Sequence, residues 1–277
     1  MVNVFGNNII GAYTNGVSVK EIYANGVKVW PSEEPPVPTE YYITWSPSMS
    51  SGTFTMEGVT YNFSEHQSGF WGFSGTITES AFENASLIQI ETNALSIDRL
   101  AFQFCYSLSQ INLPVCSYIG SAAFRYCRSL SQISLPVCSY INRYAFTCCS
   151  SFLSQISLPV CEFIGEGAFE ECFFLSQISL PVCKYIGSIA FQFCYSLSQI
   201  NLPVCSYIDS NAFNFCDHLR TIRLGYSSVV TLNTTLWKET DPPLSFSSIL
   251  VPSSLVAVYK ADSVWSQYSS LIYPINN

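Results

Sequence analysis

Nineteen residues occur twice without a change: 101–119 and 190–208 both read AFQFCYSLSQINLPVCSYI, and three looser copies lie between them. A chain stamped from one unit folds by stacking that unit, because each copy can cover its apolar faces only with its neighbours. Repetition also bears on function. A catalytic site is a single locus, whereas a unit repeated along a chain specifies a surface.

The unit is A-F-x-x-C-x-x-L-x-x-I-x-L-P-x-C-x-x-I-x-x-x. Phe102, Phe124, Phe146, Phe169, Phe191 and Phe213 mark its register at spacings of 22, 22, 23, 22 and 22, with one extra residue between Cys148 and Leu153. A degenerate coil begins at Ala81-Phe82, and the pattern fades after Leu224. Leu108, Ile111 and Leu113 are spaced among polar residues as in a strand, and Ala101-Phe102-x-x-Cys105 has the spacing of a single helical turn. Each coil is therefore expected to be a strand plus a turn. A lone coil buries too few large side chains to offset the ordering of its backbone. Stacked coils should form a continuous parallel sheet, giving an α/β-type repeat solenoid with a right-handed superhelix.

The flanks differ from the repeats. Residues 1–30 hold two Asn-Gly pieces between β-formers, Ala12 to Val19 and Ile22 to Trp30, each read as a hairpin because Asn-Gly accepts a type I′ turn. The Pro-rich, acidic residues 31–40 read as a stiff linker. Residues 41–78 read as a β-rich N-terminal cap, with a hairpin over Thr53 to Phe63 turned at Glu57-Gly58. The solenoid then occupies 79–232, and 233–277 a mixed C-terminal cap. In that cap Ser253 is placed to cap a helix carrying Leu255, Val258, Tyr259 and Trp265 on its apolar face.

Composition narrows the partners. Of 277 residues 48% are apolar, enough for a continuous core, but only 11% are charged, against ~25% in ordinary domains. Ser, Asn, Gln, Thr and Tyr must keep the surface wet. Net charge is −8 and the eleven Lys and Arg are scattered, leaving no basic stripe for nucleic acid. The N-terminal residues as given show no signal peptide, and no apolar stretch is long enough to insert in a membrane. The two histidines, His66 and His218, lie far apart and no catalytic, phosphate-binding or metal-ligand motif is found. The chain is read as non-catalytic, with no metal and no cofactor.

The twelve cysteines sit in repeat register. One column is Cys105, Cys127, Cys149, Cys172, Cys194 and Cys216; the other is Cys116, Cys138, Cys161, Cys183 and Cys205, with Cys148 left over. Stacked coils bring column neighbours to about 4.8 Å, the strand spacing, a separation that a disulfide also tolerates. Buried free thiols are the expectation, since Cys packs as a small apolar residue.

The segment Leu108-Ser-Gln-Ile-Asn-Leu-Pro-Val-Cys116 fits the leucine-rich-repeat template L-x-x-L-x-L-x-x-N/C. With Pro114 and the Ala-Phe-x-x-Cys turn, the chain resembles the BspA-like leucine-rich repeats over roughly 79–232. Its ending, from Val251 to Tyr268, resembles tails found after such repeats in gut bacterial proteins. The resemblance implies a non-catalytic protein at the cell surface that binds a protein or glycan on a host or neighbouring cell. The opening, Ile22 to Pro31, is similar to short modules of gut bacterial and phage structural proteins. A virion or tail component attached to a larger assembly through residues 1–40 is therefore a second expectation.

Three sets of residues are candidates for binding. Gln110, Gln132, Gln155, Gln177 and Gln199 should face outward from the strands, either as a ladder of amides bonding one another or as a hydrogen-bonding platform. Tyr118, Tyr140, Phe163, Tyr185 and Tyr207 form an aromatic column, and the template leaves open whether it points in or out. Arg125, Arg128, Arg143, Glu170 and Glu171 gather at the turns, where side chains vary without disturbing the core.

Overall fold

The computed structural model describes residues 76–275 with their side chains, except 78, 86–93, 226, 238–241 and 244. It also gives the backbone of strands at 2–5, 8–12, 22–24, 27–30, 42–44, 51–56, 59–64 and 89–91. From Thr76 onward the chain winds as a solenoid with two parallel sheets. One sheet, here the tyrosine sheet, stacks eight two-residue strands in register from Thr76–Ile77 to Thr231–Leu232, with Tyr118–Ile119 and Tyr140–Ile141 among them. The other, the glutamine sheet, carries Gln110–Asn112, Gln132–Ser134, Gln155–Ser157, Gln177–Ser179, Gln199–Leu202 and Thr221–Leu224.

The tyrosine sheet is unbroken, but the ladder of the glutamine sheet is interrupted between Ser134 and Gln155 and again between Ser179 and Gln199. The first gap falls where the 23-residue coil carries its extra residue; nothing in the sequence accounts for the second. At one end Gln89–Glu91 pairs with Gln110–Asn112 and, antiparallel, with Tyr42–Thr44. At the other end Ser248–Val251 and Ile272–Pro274 extend the sheet in parallel.

Stacking the coils aligns identical side chains. Phe82, Phe102, Phe124, Phe146, Phe169, Phe191 and Phe213 form one column with ring centroids 5.0 to 5.7 Å apart and planes within 8° of parallel. Leu108, Ile111, Leu113 and Ile119 of one coil, and their counterparts in the next, close the core around it. Each ring pair contributes roughly 0.5 to 1.5 kcal/mol beyond the area it buries.

The Ala-Phe-x-x-Cys segment is not the helical turn that its spacing suggests. The amides of Leu100, Phe102 and Phe104 donate to the carbonyls of Ser121, Ala123 and Arg125 in the next coil at 2.8 to 3.0 Å. Those of Ala101, Gln103 and Cys105 donate three residues back, to Asp98, Leu100 and Phe102, at 3.0 to 3.4 Å. A helix would turn every donor inward and offer none to its neighbour. The alternation is obtained with left-handed backbone before Ala and before Cys in every full coil: Leu100 and Phe104, Ala122 and Tyr126, Tyr144 and Cys148, Gly167 and Glu171, Ile189 and Phe193, Asn211 and Phe215. Such a conformation costs roughly 1 to 2 kcal/mol for a residue with a Cβ, and the hydrogen bond to the next coil offsets it. The fold is thus a β-solenoid with little helix.

All twelve cysteines are buried and free. In the first column each thiol donates to the carbonyl of the core Phe one coil back, as Cys127 Sγ does to Phe102 O at 3.3 Å and Cys194 Sγ to Phe169 O at 3.2 Å. In the second, Cys116 and Cys205 donate to the carbonyls of Tyr118 and Tyr207 two residues on. A small side chain with one weak donor fits these places. Burial pushes the thiols of Cys105, Cys148 and Cys205 up to about 12 and those of Cys116 and Cys161 up to about 11. It raises the remaining thiols as well.

Among the flanks, Ile22–Ala24 and Val27–Trp30 pair antiparallel across Asn25-Gly26, and Ser51–Met56 pairs with Val59–Ser64 across Glu57-Gly58. Val2–Phe5 pairs with Asn8–Ala12, a hairpin that the sequence reading missed. The hairpin expected over Ala12 to Val19 lies outside the described residues beyond Ala12, as do 31–40. At the C-terminus Ser253 makes no cap hydrogen bond; it opens a short 3-10 turn, Ser253–Leu255, that leads into the helix Val256–Ala261. Val258 points outward, while Tyr259, Trp265 and Tyr268 are buried. Tyr259 Oη accepts the Val230 amide and Trp265 Nε1 donates to the Val230 carbonyl, tying this segment to the last coil. No described helix is long and apolar enough to cross a membrane.

Two outcomes are expected from this packing. Phe146→Ala, inside the ring column, should destabilise the protein by about 3 to 5 kcal/mol; a loss below about 1 kcal/mol in denaturant titration would contradict a ring packed by Phe124 and Phe169 on both sides. Iodoacetamide at pH 8 should modify the native protein slowly and all twelve thiols once it is unfolded without reductant. Rapid labelling in the native state, or thiols that stay blocked after unfolding, would contradict buried free cysteines.

Candidate binding surfaces

The glutamine sheet positions its side chains by strand alternation. Ile111, Ile156, Ile178 and Ile200 are buried, while Gln132, Gln155, Gln177 and Gln199 are exposed and Gln110 is half-buried. The row faces outward as its pattern predicts. No hydrogen bond joins one of these five amides to the next among the described residues, so their donors and acceptors face solvent and not each other. The serines that precede them behave differently: Ser131 and Ser176 donate their hydroxyls to the carbonyls of Ser109 and Ser154 one coil back, at 3.1 and 3.0 Å. A groove of about 880 Å³ lies over this sheet, lined by Gln155, Gln177, Gln199, Ser157, Ser179 and Asn201 and running on to Arg223, Leu250 and Ile275.

The aromatic column belongs to the other sheet. Tyr118, Tyr140, Phe163, Tyr185 and Tyr207 are half-buried and stack face to face, with centroids 4.2 to 5.5 Å apart. Because each ring covers its neighbour, the column presents edges and hydroxyls outward, which suits hydrogen bonding more than ring stacking against a ligand. Several hydroxyls are already engaged: Tyr118 accepts from Asn142 Nδ2 at 2.8 Å, and Tyr185 donates to Asp209 at 3.2 Å. Asp209 also accepts from Asn233 Nδ2 and the Ser210 amide. Burial works against its carboxylate, but these bonds outweigh burial and hold its pKa below the usual carboxylate value.

At the turn edge, Arg125, Cys148, Glu170 and Glu171 come together from three successive coils. Cys148 Sγ donates to Glu171 Oε2 at 3.2 Å. Burial first, and then Glu171, raises the Glu170 carboxyl above its usual value, against the pull of Arg125. Arg125 and Arg128 lie over the Tyr126 ring at 4.9 and 5.5 Å, and Arg128 also lies over Tyr106. Arg143 is exposed and apart from them. Of the neighbouring acidic side chains, Glu162 pairs with Lys184 at 2.8 Å and Glu166 accepts from Tyr144.

Aromatic side chains run along the same edge; Tyr126 and Phe173 stood out in the sequence among the variable turn residues, and Phe104, Phe193, Tyr195 and Phe215 did not. Phe104 stacks on Tyr126, Phe193 on Phe215 and Phe173 on Tyr195, at 4.8 to 5.3 Å. Their signal was available in the variable positions on either side of the first cysteine column, which hold Phe or Tyr in several coils.

The repeat register, the Phe column and the twin parallel sheets agree with the comparison to known families. The family model described as BspA type leucine-rich repeat region matches in six copies, over residues 74–172 and 117–242. The chain belongs to that family. Among solved structures, this BspA-type solenoid is similar to a leucine-rich cell surface protein of Faecalibacterium prausnitzii, with 17% identity, a TM-score of 0.40 and coverage of 71% of this chain and 67% of that one. A leucine-rich-repeat protein of Bacteroides ovatus is similar at 20% identity with a TM-score of 0.41, covering 74% of this chain and 64% of its own. A search of curated proteins finds no match.

The Asp209 network links three coils of the BspA-type repeat through Tyr185, Asp209 and Asn233. Since folding lowers this pKa, its contribution to stability is complete above the unfolded value of about 4 and is lost as pH falls through the folded value. Asp209→Asn should therefore reduce stability at pH 7 and flatten the acid limb of a stability-against-pH profile measured by denaturant unfolding. An unchanged acid limb would show that Asp209 does not set it.

Proposed function

We propose that the protein is a non-catalytic binding and adhesion scaffold, displayed at a cell surface, that engages a polar protein or glycan partner along its glutamine sheet. The observation that carries this reading is the row of outward amides that do not bond one another, three of which, Gln155, Gln177 and Gln199, line a groove of about 880 Å³. An amide row closed on itself would be structural. An open one leaves a donor and an acceptor in every coil, repeated at the strand spacing of about 4.8 Å. Family membership supports the scaffold role, because the apolar positions repeated in each coil are taken up with packing and the outward positions are free to serve recognition.

The turn edge, with Arg125, Arg128, Glu170 and Glu171 among exposed rings, is the second face on which a partner would find distinctive chemistry. Aromatic residues and Arg are enriched where proteins meet. Residues 1–40, which precede the repeats, are proposed to attach the solenoid to a larger assembly.

Replacing Gln110, Gln132, Gln155, Gln177 and Gln199 together by Ala should abolish partner capture on glycan and protein arrays while leaving the circular dichroism and melting transition intact. Binding that survives the replacement would rule out the glutamine sheet and move the site to the turn edge, where Arg128→Ala and Glu171→Ala would then be decisive.

A further inference from the structure

The groove ends differently from the way it runs. Along one of its rows, Asn201 stands in register with Arg223, Arg223 with Leu250, and Leu250 with Tyr273. All four positions face outward, because the residues alternating with them, Leu202, Ile222, Ile249 and Ile272, are buried. Arg223 is exposed, makes no ion pair among the described residues, and is the one charged residue in the groove lining. It sits beside half-buried Leu250 and Ile275, where a lowered local dielectric strengthens its pull on an anion.

Tyr273 lies two strand spacings further on, about 10 Å from Arg223, and is 46% exposed. Its strand is the last of the sheet, so no following ring covers it as happens throughout the Tyr118 column. Lys260 Nζ lies 6.0 Å from its centroid, adding a second cation at the same end.

Resting on the groove reading above, we propose that the ligand is an acidic oligosaccharide whose carboxylate is held by Arg223. Its neutral sugars would lie along the Gln and Ser rows, and a terminal sugar against the Tyr273 ring. A peptide fits less well. Peptide recognition draws on apolar anchor pockets or on strand addition to an open sheet edge; the isoleucines on the groove floor, Ile156, Ile178 and Ile200, are almost wholly covered, so that the Gln, Ser and Asn rows are what it mainly presents. Sugars offer hydroxyls at a regular interval, which amides and serine hydroxyls repeated once per coil can meet, and a C–H face that an open aromatic ring can stack against. The guanidinium adds planar, two-pronged recognition of a carboxylate.

The test uses isothermal titration of the full chain with aldotriouronic acid, a xylobiose that carries one 4-O-methylglucuronate, with its methyl ester, and with a polar peptide ending in a free carboxylate. The acid should bind at least about 10-fold more tightly than its ester, the difference expected of one charge-assisted hydrogen-bonded pair. Arg223→Gln should remove that preference and leave the affinity for the ester within about twofold, and Tyr273→Ala should weaken both sugars alike. Equal binding of acid and ester, unchanged in Arg223→Gln, would overturn the carboxylate anchor while leaving the groove reading intact. Failure of every sugar while the peptide binds would overturn the oligosaccharide assignment, and failure of all three probes would count against both readings.

Discussion

Every coil of this protein has two open sides, and everything else follows from the need to close them with another coil. The amides that reach forward from Leu100, Phe102 and Phe104 are of no use to their own turn. The Phe102 ring has nothing to cover its faces except Phe82 and Phe124. This is why the chain accepts left-handed backbone at residues as bulky as Phe104, Tyr126 and Ile189. The strain is local, while the bond it directs joins two coils and is repeated along the whole stack.

The same constraint explains what could be read without coordinates. Stacking, register and the buried identity of Phe, Leu and Ile follow from a repeat of 22 residues alone, since a residue that recurs at that period must meet its own copy. The outward glutamines were equally legible, because strand alternation around Ile111 and Leu113 fixes their side. The conformation of Ala-Phe-x-x-Cys was not. A spacing of four between Ala101 and Cys105 is shared by a helical turn and by this stacked turn, and only the destination of the amides separates them. Nor could the pattern say that the Tyr118 column is half-buried, since the closing Tyr-Ile pair is too short to show alternation.

Cysteine and low charge belong together in this design. A thiol in each coil gives the core Phe carbonyl one coil back a second donor, beside the amide that already bonds it within its own turn, and does so in a space that a hydroxyl would fill with a more strongly hydrated group. Outside, a surface with few charges avoids setting like charges one strand apart, which an identical repeat would otherwise do in every coil. The exceptions are correspondingly informative: Lys184 stands opposite Glu162, and Arg223 stands opposite nothing charged among the described residues.

The two sheets are fastened differently, one without a break from Thr76 to Leu232 and the other in blocks. The column is laced continuously down one side and intermittently down the other. Across the second gap a single backbone bond remains among the described residues, from the Ser198 amide to the Ser176 carbonyl at 3.4 Å, above the buried Ile178 and Ile200. A partner that runs the length of the glutamine row therefore meets three hydrogen-bonded blocks and not one uniform comb.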